Sequence, residues 1–229
     1  MSEAKRAAGT RAADLVEDGM AVGLGTGSTV HYALLRLGER IRTEGLSLRG
    51  IPTSLDTEAK ARDLGIPLTT LEETPRLDLT IDGADEIDGA FDMIKGGGGA
   101  LLREKVVAAV TRHQVIIVDP GKVVARLGVG FPLPVEVVPF ARAVVTPRLE
   151  ALGALPTLRR AGMGEAYHTD NGNEILDCRF PEGIADAGAL EADLAAIPGV
   201  VESGLFVGLA HTLVIGETSG TARVQERPR

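Results

Sequence analysis

The feature that most constrains the fold is the alternation of short apolar runs with helical patterns along the first half of the chain. The runs of strand length are Met20–Gly25, Leu46–Pro52, Leu77–Asp82 and Val115–Asp119. The segments with helical periodicity between them are Ser28–Ile41, Thr57–Leu64 and Ala100–Arg112. Strands that alternate with helices predict an α/β domain, with a mostly parallel sheet covered on both faces.

The pattern changes near Phe131, after which the segments follow the order β-α-β-β-α-β that is typical of a ferredoxin-like unit. The turn sequence Asp170-Asn171-Gly172-Asn173 predicts a hairpin between the two middle strands. Ala210–Gly216 is a last strand that can return to the first sheet, and the polar segment Thr218–Arg229 is expected to fray. We therefore expect a main domain of residues 1–130 and 207–229, and a smaller α+β domain of residues 131–206.

Composition argues against several classes of function. The net charge of −8 opposes a nucleic-acid or anionic-membrane role, because both need a positive surface. The absence of Trp and the two Tyr argue against binding by base stacking. No run reaches the roughly 18–20 apolar residues of a membrane span, and the N-terminus lacks a signal-peptide core. The single Cys178 indicates a reducing compartment, so we expect a cytoplasmic protein.

Three segments with candidate functional residues follow predicted strands, and the first is the loop from Gly23 to Thr29. Its glycines let the backbone approach an anion, and the helix that follows offers N–H groups and a positive dipole end. The candidate phosphate ligands are Thr26, Gly27, Ser28 and Thr29. The loop has neither the third glycine of a dinucleotide fingerprint nor the G-K-[ST] of a P-loop. The structural alternative is a glycine turn with a Ser N-cap.

The second segment places four acidic residues within seven positions, from Asp82 to Asp88, directly after a strand. Asp82 and Asp85 lie three residues apart and can face one cavity, with Gly83 and Ala84 between them. Carboxylates suit Mg²⁺, but no His or Cys accompanies them, and we predict no metal. A solvated acidic turn is the structural alternative.

The third segment is Lys95 followed by the glycines Gly96, Gly97, Gly98 and Gly99, and then by a helix. Four successive glycines are entropically costly and indicate a close or strained backbone path. Helical side chains lean toward the N-terminus, so Glu104 should point back over the glycine loop and can act as a general base. An exposed surface glutamate is the alternative. Lys122, at the same predicted sheet edge, can approach an anionic ligand.

Together these groups supply what an aldose–ketose isomerase acting on a sugar phosphate needs. Glu104 can be the base, and Lys95 with the loop N–H groups can stabilise the enediolate oxygen. Asp82 or Asp85 can move hydroxyl protons, and Gly25–Thr29 can hold the phosphate. Such a reaction needs no metal or redox cofactor, and we predict none.

Six stretches of the sequence, in order and nearly end to end, resemble ribose-5-phosphate isomerases of the A type. They are GLGTGST (23–29), DGADEID (82–88), KGGGGALLREK (95–105), FPLPVEVVPFAR (131–142), TDNGN (169–173) and IPGVVESGLFVG (197–208). The resemblance implies interconversion of ribose 5-phosphate and ribulose 5-phosphate. It implies a Rossmann-like main domain and a homodimer or homotetramer.

The resemblance also implies roles for particular residues. Glu104 would be the proton acceptor that shuttles hydrogen between C2 and C1. Substrate contacts would come from Thr26–Thr29, Asp82–Asp85, Lys95–Gly98 and Lys122.

Two other hypotheses stay open at this point. A regulatory module can bind a sugar phosphate on the same fold without turnover, although it would not need all of Asp82, Asp85, Lys95 and Glu104. A nucleotide-dependent oxidoreductase is disfavoured by the missing third glycine and by the lack of a clear ribose-binding acid about 20 residues on.

Overall fold

The computed structural model describes residues 3–228, which form six α-helices and thirteen β-strands within that range. The helices are α1 (Glu3–Ala13), α2 (Val30–Glu44), α3 (Leu55–Asp63), α4 (Leu101–Ala109), α5 (Arg142–Ala151) and α6 (Ala187–Ala195). The strands are β1 (Met20–Leu24), β2 (Leu48–Pro52), β3 (Leu77–Gly83), β4 (Glu86–Ile87), β5 (Met93–Ile94), β6 (Thr111–Val118), β7 (Leu133–Val137), β8 (Leu155–Leu158), β9 (Glu174–Arg179), β10 (Val200–Ser203), β11 (Leu205–Phe206), β12 (Thr212–Gly216) and β13 (Ala222–Glu226).

The chain divides into two compact units. The first contains the residues up to Ala84, Arg103–Val123 and the segment from Leu209 onward. The second contains Asp85–Leu102 and Val124–Gly208.

The first unit is built on a six-stranded sheet in the order β13-β12-β6-β3-β1-β2. All neighbouring strands are parallel except β12 and β13, which confirms the predicted parallel sheet. The strands are apolar because both faces are covered. Val22 and Leu24 of β1 pack into one apolar cluster, while Ala21, which precedes Val22, packs with Leu77 and Val107 on the opposite face.

The second unit contains an antiparallel sheet in the order β10-β7-β9-β8. Its elements follow one another as β7-α5-β8-β9-α6-β10, which confirms the ferredoxin-like arrangement. Val135 and Val137 of β7 form its core with Leu149 of α5 and Leu194 of α6. A small second sheet in this unit has the order β11-β5-β4.

The unit boundaries differ from the predicted domains, 1–130 with 207–229 and 131–206. Residues 85–102 belong with the second unit because β4 and β5 share a sheet with β11. Residues 124–130 join it because the buried Glu86 carboxylate accepts hydrogen bonds from the N–H groups of Gly128 (2.6 Å) and Gly130 (2.8 Å).

Three details of secondary structure also differ from the prediction. Helix α4 ends at Ala109 rather than Arg112, because Thr111 already pairs with Leu77 in the sheet. The segment expected to fray contains β13, in which Val224 lies opposite Val214. Helix α1 was missed because its buried stripe consists of four alanines and Gly9, which give a weak apolar pattern. No helix within residues 3–228 is long and apolar enough to cross a membrane.

Candidate active site

The first candidate segment, the start of the second and Lys122 follow strands of the six-stranded sheet and lie at one edge of it. Strand β3 lies between β1 and β6, and all three are parallel, so their carboxyl ends meet at the same edge. The Gly25–Thr29 loop follows β1, Asp82 is near the end of β3, and Lys122 lies in a 3₁₀ turn after β6. The chain pairs β1 with β2 on one side and with β3 on the other. This is a topological switch point, where ligands bind in open α/β sheets.

Asp82 is fully buried, at 0% exposure, and is held by the β1 loop. Its Oδ1 accepts hydrogen bonds from the N–H groups of Thr26 (3.1 Å) and Gly83 (2.8 Å). The N–H of Gly25 donates to the carbonyl of Ile81 at 2.9 Å, which brings the loop backbone against β3. Two N–H donors offset part of the cost of burying a carboxylate, so Asp82 and Thr26 form one rigid part of the site.

The Thr26 hydroxyl belongs to a cluster that sequence reasoning missed. It lies 2.9 Å from Thr53 Oγ1, 2.8 Å from Ser54 Oγ and 3.2 Å from Thr57 Oγ1. Thr57 Oγ1 also donates to the Gly25 carbonyl at 2.8 Å, and Ser54 accepts from the Thr57 N–H as the N-cap of α3. Thr53 and Ser54 directly follow a strand, and that position was the signal that could have found them.

The start of helix α2 faces the rest of the loop. Gly27 has a φ of +121°, a backbone conformation that favours glycine. Thr29, not Ser28, is the N-cap residue of the helix and makes no side-chain cap, so the Ser N-cap of the structural alternative is not formed. The Ser28 hydroxyl instead accepts a hydrogen bond from Lys5 Nζ at 2.9 Å. Lys5 adds a cation beside a helix N-terminus that already favours anions, and it was missed because α1 was not predicted.

Substituting Gly25 tests how closely the loop must approach Asp82. A Cβ at position 25 would lie 2.1 Å from Asp82 Oδ1, whereas a Cβ at Gly89 would meet nothing within 4 Å. We expect Gly25→Ala to lower the free energy of unfolding by about 1–3 kcal/mol. Catalytic activity should fall at least tenfold because Asp82 is displaced. Urea unfolding and steady-state kinetics measure the two effects. Gly89→Ala is the control. Equal stability and activity of the two variants would contradict a close contact between Gly25 and Asp82.

Glu104 lies in the first turn of α4 and is 5% exposed, so it is not the surface glutamate of the structural alternative. Burying a carboxylate costs free energy, so a buried glutamate indicates a specific role.

Lys122 is half-buried in its 3₁₀ turn, where the Asp119 side chain caps the Gly121 N–H at 3.1 Å. That cap fixes the backbone from which the Lys122 side chain extends.

The remaining candidates belong to the second unit. Lys95 is 2% exposed, its N–H donates to the Gly204 carbonyl at 2.8 Å, and its Nζ lies 5.2 Å from the ring centroid of Phe206. The Asp85 carboxylate accepts a hydrogen bond from the Gly97 N–H at 2.7 Å. The ring face attracts the cationic Lys95 side chain, and the loop N–H holds the Asp85 side chain in place.

The glycine run is explained by close contacts on several sides. Gly96 has a φ of +96°. A Cβ on Gly97 would lie 2.6 Å from the Asp85 carboxylate, and a Cβ on Gly99 would lie 2.2 Å from the Tyr167 hydroxyl oxygen. These positions therefore require glycine for space as well as for conformation.

The predicted site residues fall into two sets, one in each unit. The first set comprises Thr26, Gly27, Ser28, Thr29, Asp82, Gly83, Ala84, Glu104 and Lys122. The second comprises Asp85, Lys95, Gly96, Gly97 and Gly98. Within residues 3–228, no group of three or more His, Cys, Asp or Glu side chains is arranged to hold a metal ion.

Comparison with known proteins gives consistent matches over nearly the whole chain. Residues 49–220 match the family model of ribose 5-phosphate isomerase A, also called phosphoriboisomerase A. The chain is 50% identical over 225 residues to ribose-5-phosphate isomerase A of Synechococcus sp. strain JA-3-3Ab, covering 98% of this chain and 97% of the relative.

Solved structures agree with the sequence matches. The ribose 5-phosphate isomerase from Plasmodium falciparum superposes with a TM-score of 0.95 at 38% identity, covering 100% of both chains. A D-ribose-5-phosphate isomerase in complex with phospho-erythronic acid superposes with a TM-score of 0.94 at 36% identity, covering 97% of both chains. The chain therefore belongs to the ribose 5-phosphate isomerase A family.

Proposed function

We propose that this chain interconverts D-ribose 5-phosphate and D-ribulose 5-phosphate, a step of the non-oxidative pentose phosphate pathway. The observation that carries the proposal is the family match over residues 49–220, which spans the candidate segments from Asp82 to Lys122. A relative of known structure, aligned over 97% of this chain, was solved with phospho-erythronic acid, a phosphorylated four-carbon acid. The dinucleotide alternative has no comparable support.

The proposed reaction is a proton transfer that needs no outside oxidant. A base removes the proton from C2 of the open-chain aldose, the C2 electron pair forms a C1–C2 double bond, and negative charge collects on O1. Return of the proton to C1 and transfer of the O2 proton to O1 give the ketose. Atoms and electrons balance, because C1 is reduced as C2 is oxidised.

Glu104 is the proposed base. It lies almost completely buried in the first turn of α4, where the carboxylate is shielded from bulk water and held in one place, as a general base must be. A single carboxylate can take the proton from C2 and return it to C1, since it can reach both carbons from the same face of the planar enediolate.

Lys95 and N–H groups of the glycine loop, Gly98 among them, are the proposed stabilisers of the enediolate oxygens. A buried ammonium placed over the Phe206 ring is a fixed positive charge, and a fixed charge stabilises a developing anion without reorganisation. Asp82 and Asp85, each held by loop N–H groups, are proposed to open the sugar ring and to move hydroxyl protons.

The phosphate is proposed to bind the Thr26–Thr29 loop, with Lys122 as a further cation. Support comes from the helix N-terminus, from Lys5 beside Ser28 and from the hydroxyl cluster around Thr26. Gly83 and Ala84 would contribute backbone contacts to the sugar.

A direct assay tests the proposal. Purified protein is mixed with ribose 5-phosphate in the absence of added metal and nucleotide, and ketose is measured over time. Ketose at a rate typical of metabolic enzymes, about 1–10³ s⁻¹, is expected. Saturable binding of the sugar phosphate without turnover would favour the regulatory module instead.

We also propose that the protein acts as a homo-oligomer in the cytoplasm. Phe140 is 96% exposed and Val144, one helical turn later, is 56% exposed, which is unusual for large apolar side chains of a monomer. Cys178 is a buried free thiol, which fits a reducing compartment.

The oligomer proposal makes a prediction about Phe140. Phe140→Glu should shift the sedimentation coefficient of the native protein toward that of a monomer, because a charge opposes burial of this face. Val129→Glu, at a position 67% exposed in another loop, is the matched control. A monomeric wild-type protein, or an unchanged oligomer in Phe140→Glu, would contradict the proposal for this face.

A further inference from the structure

Arg159, which follows β8, donates hydrogen bonds to two carbonyl groups of the glycine loop. Its Nη1 lies 2.9 Å from the Gly96 oxygen and 3.1 Å from the Gly97 oxygen. Its other nitrogens face Asp177 of β9, with Nε 3.0 Å from Oδ2 and Nη2 2.5 Å from Oδ1. The side chain is only 14% exposed. A guanidinium held in this two-pronged geometry by a carboxylate is a rigid hydrogen-bond donor.

The contact with the carbonyls fixes the direction of the neighbouring N–H groups. In a planar trans peptide, the C=O of one residue and the N–H of the next point in opposite directions. A Gly96 carbonyl turned toward Arg159 therefore turns the Gly97 N–H away from it, and that N–H donates to Asp85 at 2.7 Å. By the same argument, the Gly97 carbonyl turns the Gly98 N–H away from Arg159.

The other loop groups reinforce this orientation. The Gly99 N–H donates to the Gly96 carbonyl at 2.9 Å, and the Tyr167 hydroxyl donates to the Gly98 carbonyl at 3.3 Å. The guanidinium carbon of Arg159 also lies 5.8 Å from the Tyr167 ring centroid. Within residues 3–228, the Gly98 N–H has no protein acceptor assigned to it, and Gly98 itself is exposed. The Gly98 N–H is thus oriented by the neighbouring contacts and accessible to a ligand.

We propose that Arg159 is a positioning residue, which orients the Gly97 and Gly98 N–H groups toward Asp85 and the substrate oxygens by holding the Gly96 and Gly97 carbonyls. Asp177 holds Arg159 in turn. The proposal rests on the proposed function, in which this loop stabilises the enediolate. Four glycines have little conformational preference of their own, so an outside group must select one loop conformation. Arg159 does not touch the substrate in this account.

A second ion pair in the same unit provides a matched control. Arg142 donates to both carboxylate oxygens of Glu174, at 2.9 and 2.8 Å, and Glu174 lies on β9 as Asp177 does. The Arg142–Glu174 pair contacts no glycine-loop carbonyl in the described structure. If Arg159 served only to hold the antiparallel sheet together, loss of either arginine would have the same kind of effect.

The experiment compares the full-length wild type with Arg159→Ala, Arg159→Lys and Arg142→Ala. We expect Arg159→Ala to lower kcat by about 10- to 100-fold with KM changed less than threefold, because a misplaced donor weakens transition-state more than ground-state binding. Arg159→Lys should recover part of kcat, since an ammonium can still donate to one carbonyl. Arg142→Ala should keep kcat within twofold.

A second readout does not depend on turnover. In protein labelled with [¹⁵N]glycine, Arg159→Ala should speed hydrogen exchange of the Gly97 amide. It should also reduce the shift of the Gly98 amide signal on addition of phospho-erythronic acid. Arg142→Ala should change neither. A wild-type protein without isomerase activity would contradict the proposed function, while these amide signals would still test the positioning role.

Three results would overturn the proposal. One is a folded Arg159→Ala protein with kcat within threefold of wild type. Another is unchanged Gly97 exchange in that variant. The third is an equal loss of kcat in Arg142→Ala, which would show that the effect comes from the stability of the unit alone.

Discussion

Glu104→Gln is expected to lower kcat by about 10²–10⁴-fold, the range that a general base contributes. Glutamine keeps the shape of the buried side chain and its hydrogen-bonding oxygen but cannot accept the proton from C2. The dissociation constant for phospho-erythronic acid should stay within a few fold of the wild-type value. The change removes proton transfer in the transition state and leaves the contacts that bind the ground state. Steady-state kinetics and isothermal titration measure the two quantities.

Glu58→Gln is the matched control for Glu104. Glu58 is a partly exposed helical glutamate that pairs with Arg62 on the surface of α3, and its replacement should leave kcat unchanged. Thermal unfolding of both variants shows whether they fold. A folded Glu104→Gln protein with near-normal kcat would show that another group is the base.

The second large effect is expected for Lys95→Ala. Removal of a positive charge that is 2% exposed should lower kcat/KM by about 10²–10³-fold, since electrostatic stabilisation by one group is worth that much in a desolvated site. Both kcat and KM should change, because the substrate carries negative charge in the ground state as well. Titration with phospho-erythronic acid separates the loss of binding from the loss of rate.

Arg62→Ala is the control for Lys95. Arg62 is a helical arginine of α3, 65% exposed, that pairs with Glu58 at 2.7 Å, and its replacement also removes one positive charge without touching the glycine loop. Values of kcat and KM within twofold of wild type for Lys95→Ala would place Lys95 outside the site.

Much of the fold was predictable because the local signals agree with one another. Val22 and Leu24 lie in a short apolar run, and Ile81 lies in a run that alternates apolar with polar residues, as a strand does. These strand patterns alternate with helical periodicity. The end of each run marked a sheet edge, and this is why the loop after β1 and the acidic segment after β3 were found from sequence.

The parts that sequence reasoning missed depend on tertiary contacts. Thr53 and Thr57 contact Thr26 only because β2 lies next to β1 in the sheet. The order of strands in a sheet cannot be predicted from local sequence patterns. Arg159 lies more than 60 positions from the glycine loop that it contacts. Alanine-rich α1 lacks a strong apolar stripe, and so Lys5 was missed with it.

A prediction about the orientation of Glu104 could be made from local sequence alone. The lean of helical side chains toward the N-terminus predicted that it would point back over the glycine loop, and its 5% exposure is inconsistent with the alternative of a surface glutamate. Its role as the base stays a prediction.

The measurement that tests the central claim most directly is proton NMR of ribose 5-phosphate incubated with the wild-type protein in heavy water, without added metal or nucleotide. The account predicts ribulose 5-phosphate with some solvent deuterium at C1, because a proton held by a carboxylate exchanges with solvent before it returns to carbon. Saturable binding of the sugar phosphate with no ketose formed would contradict it.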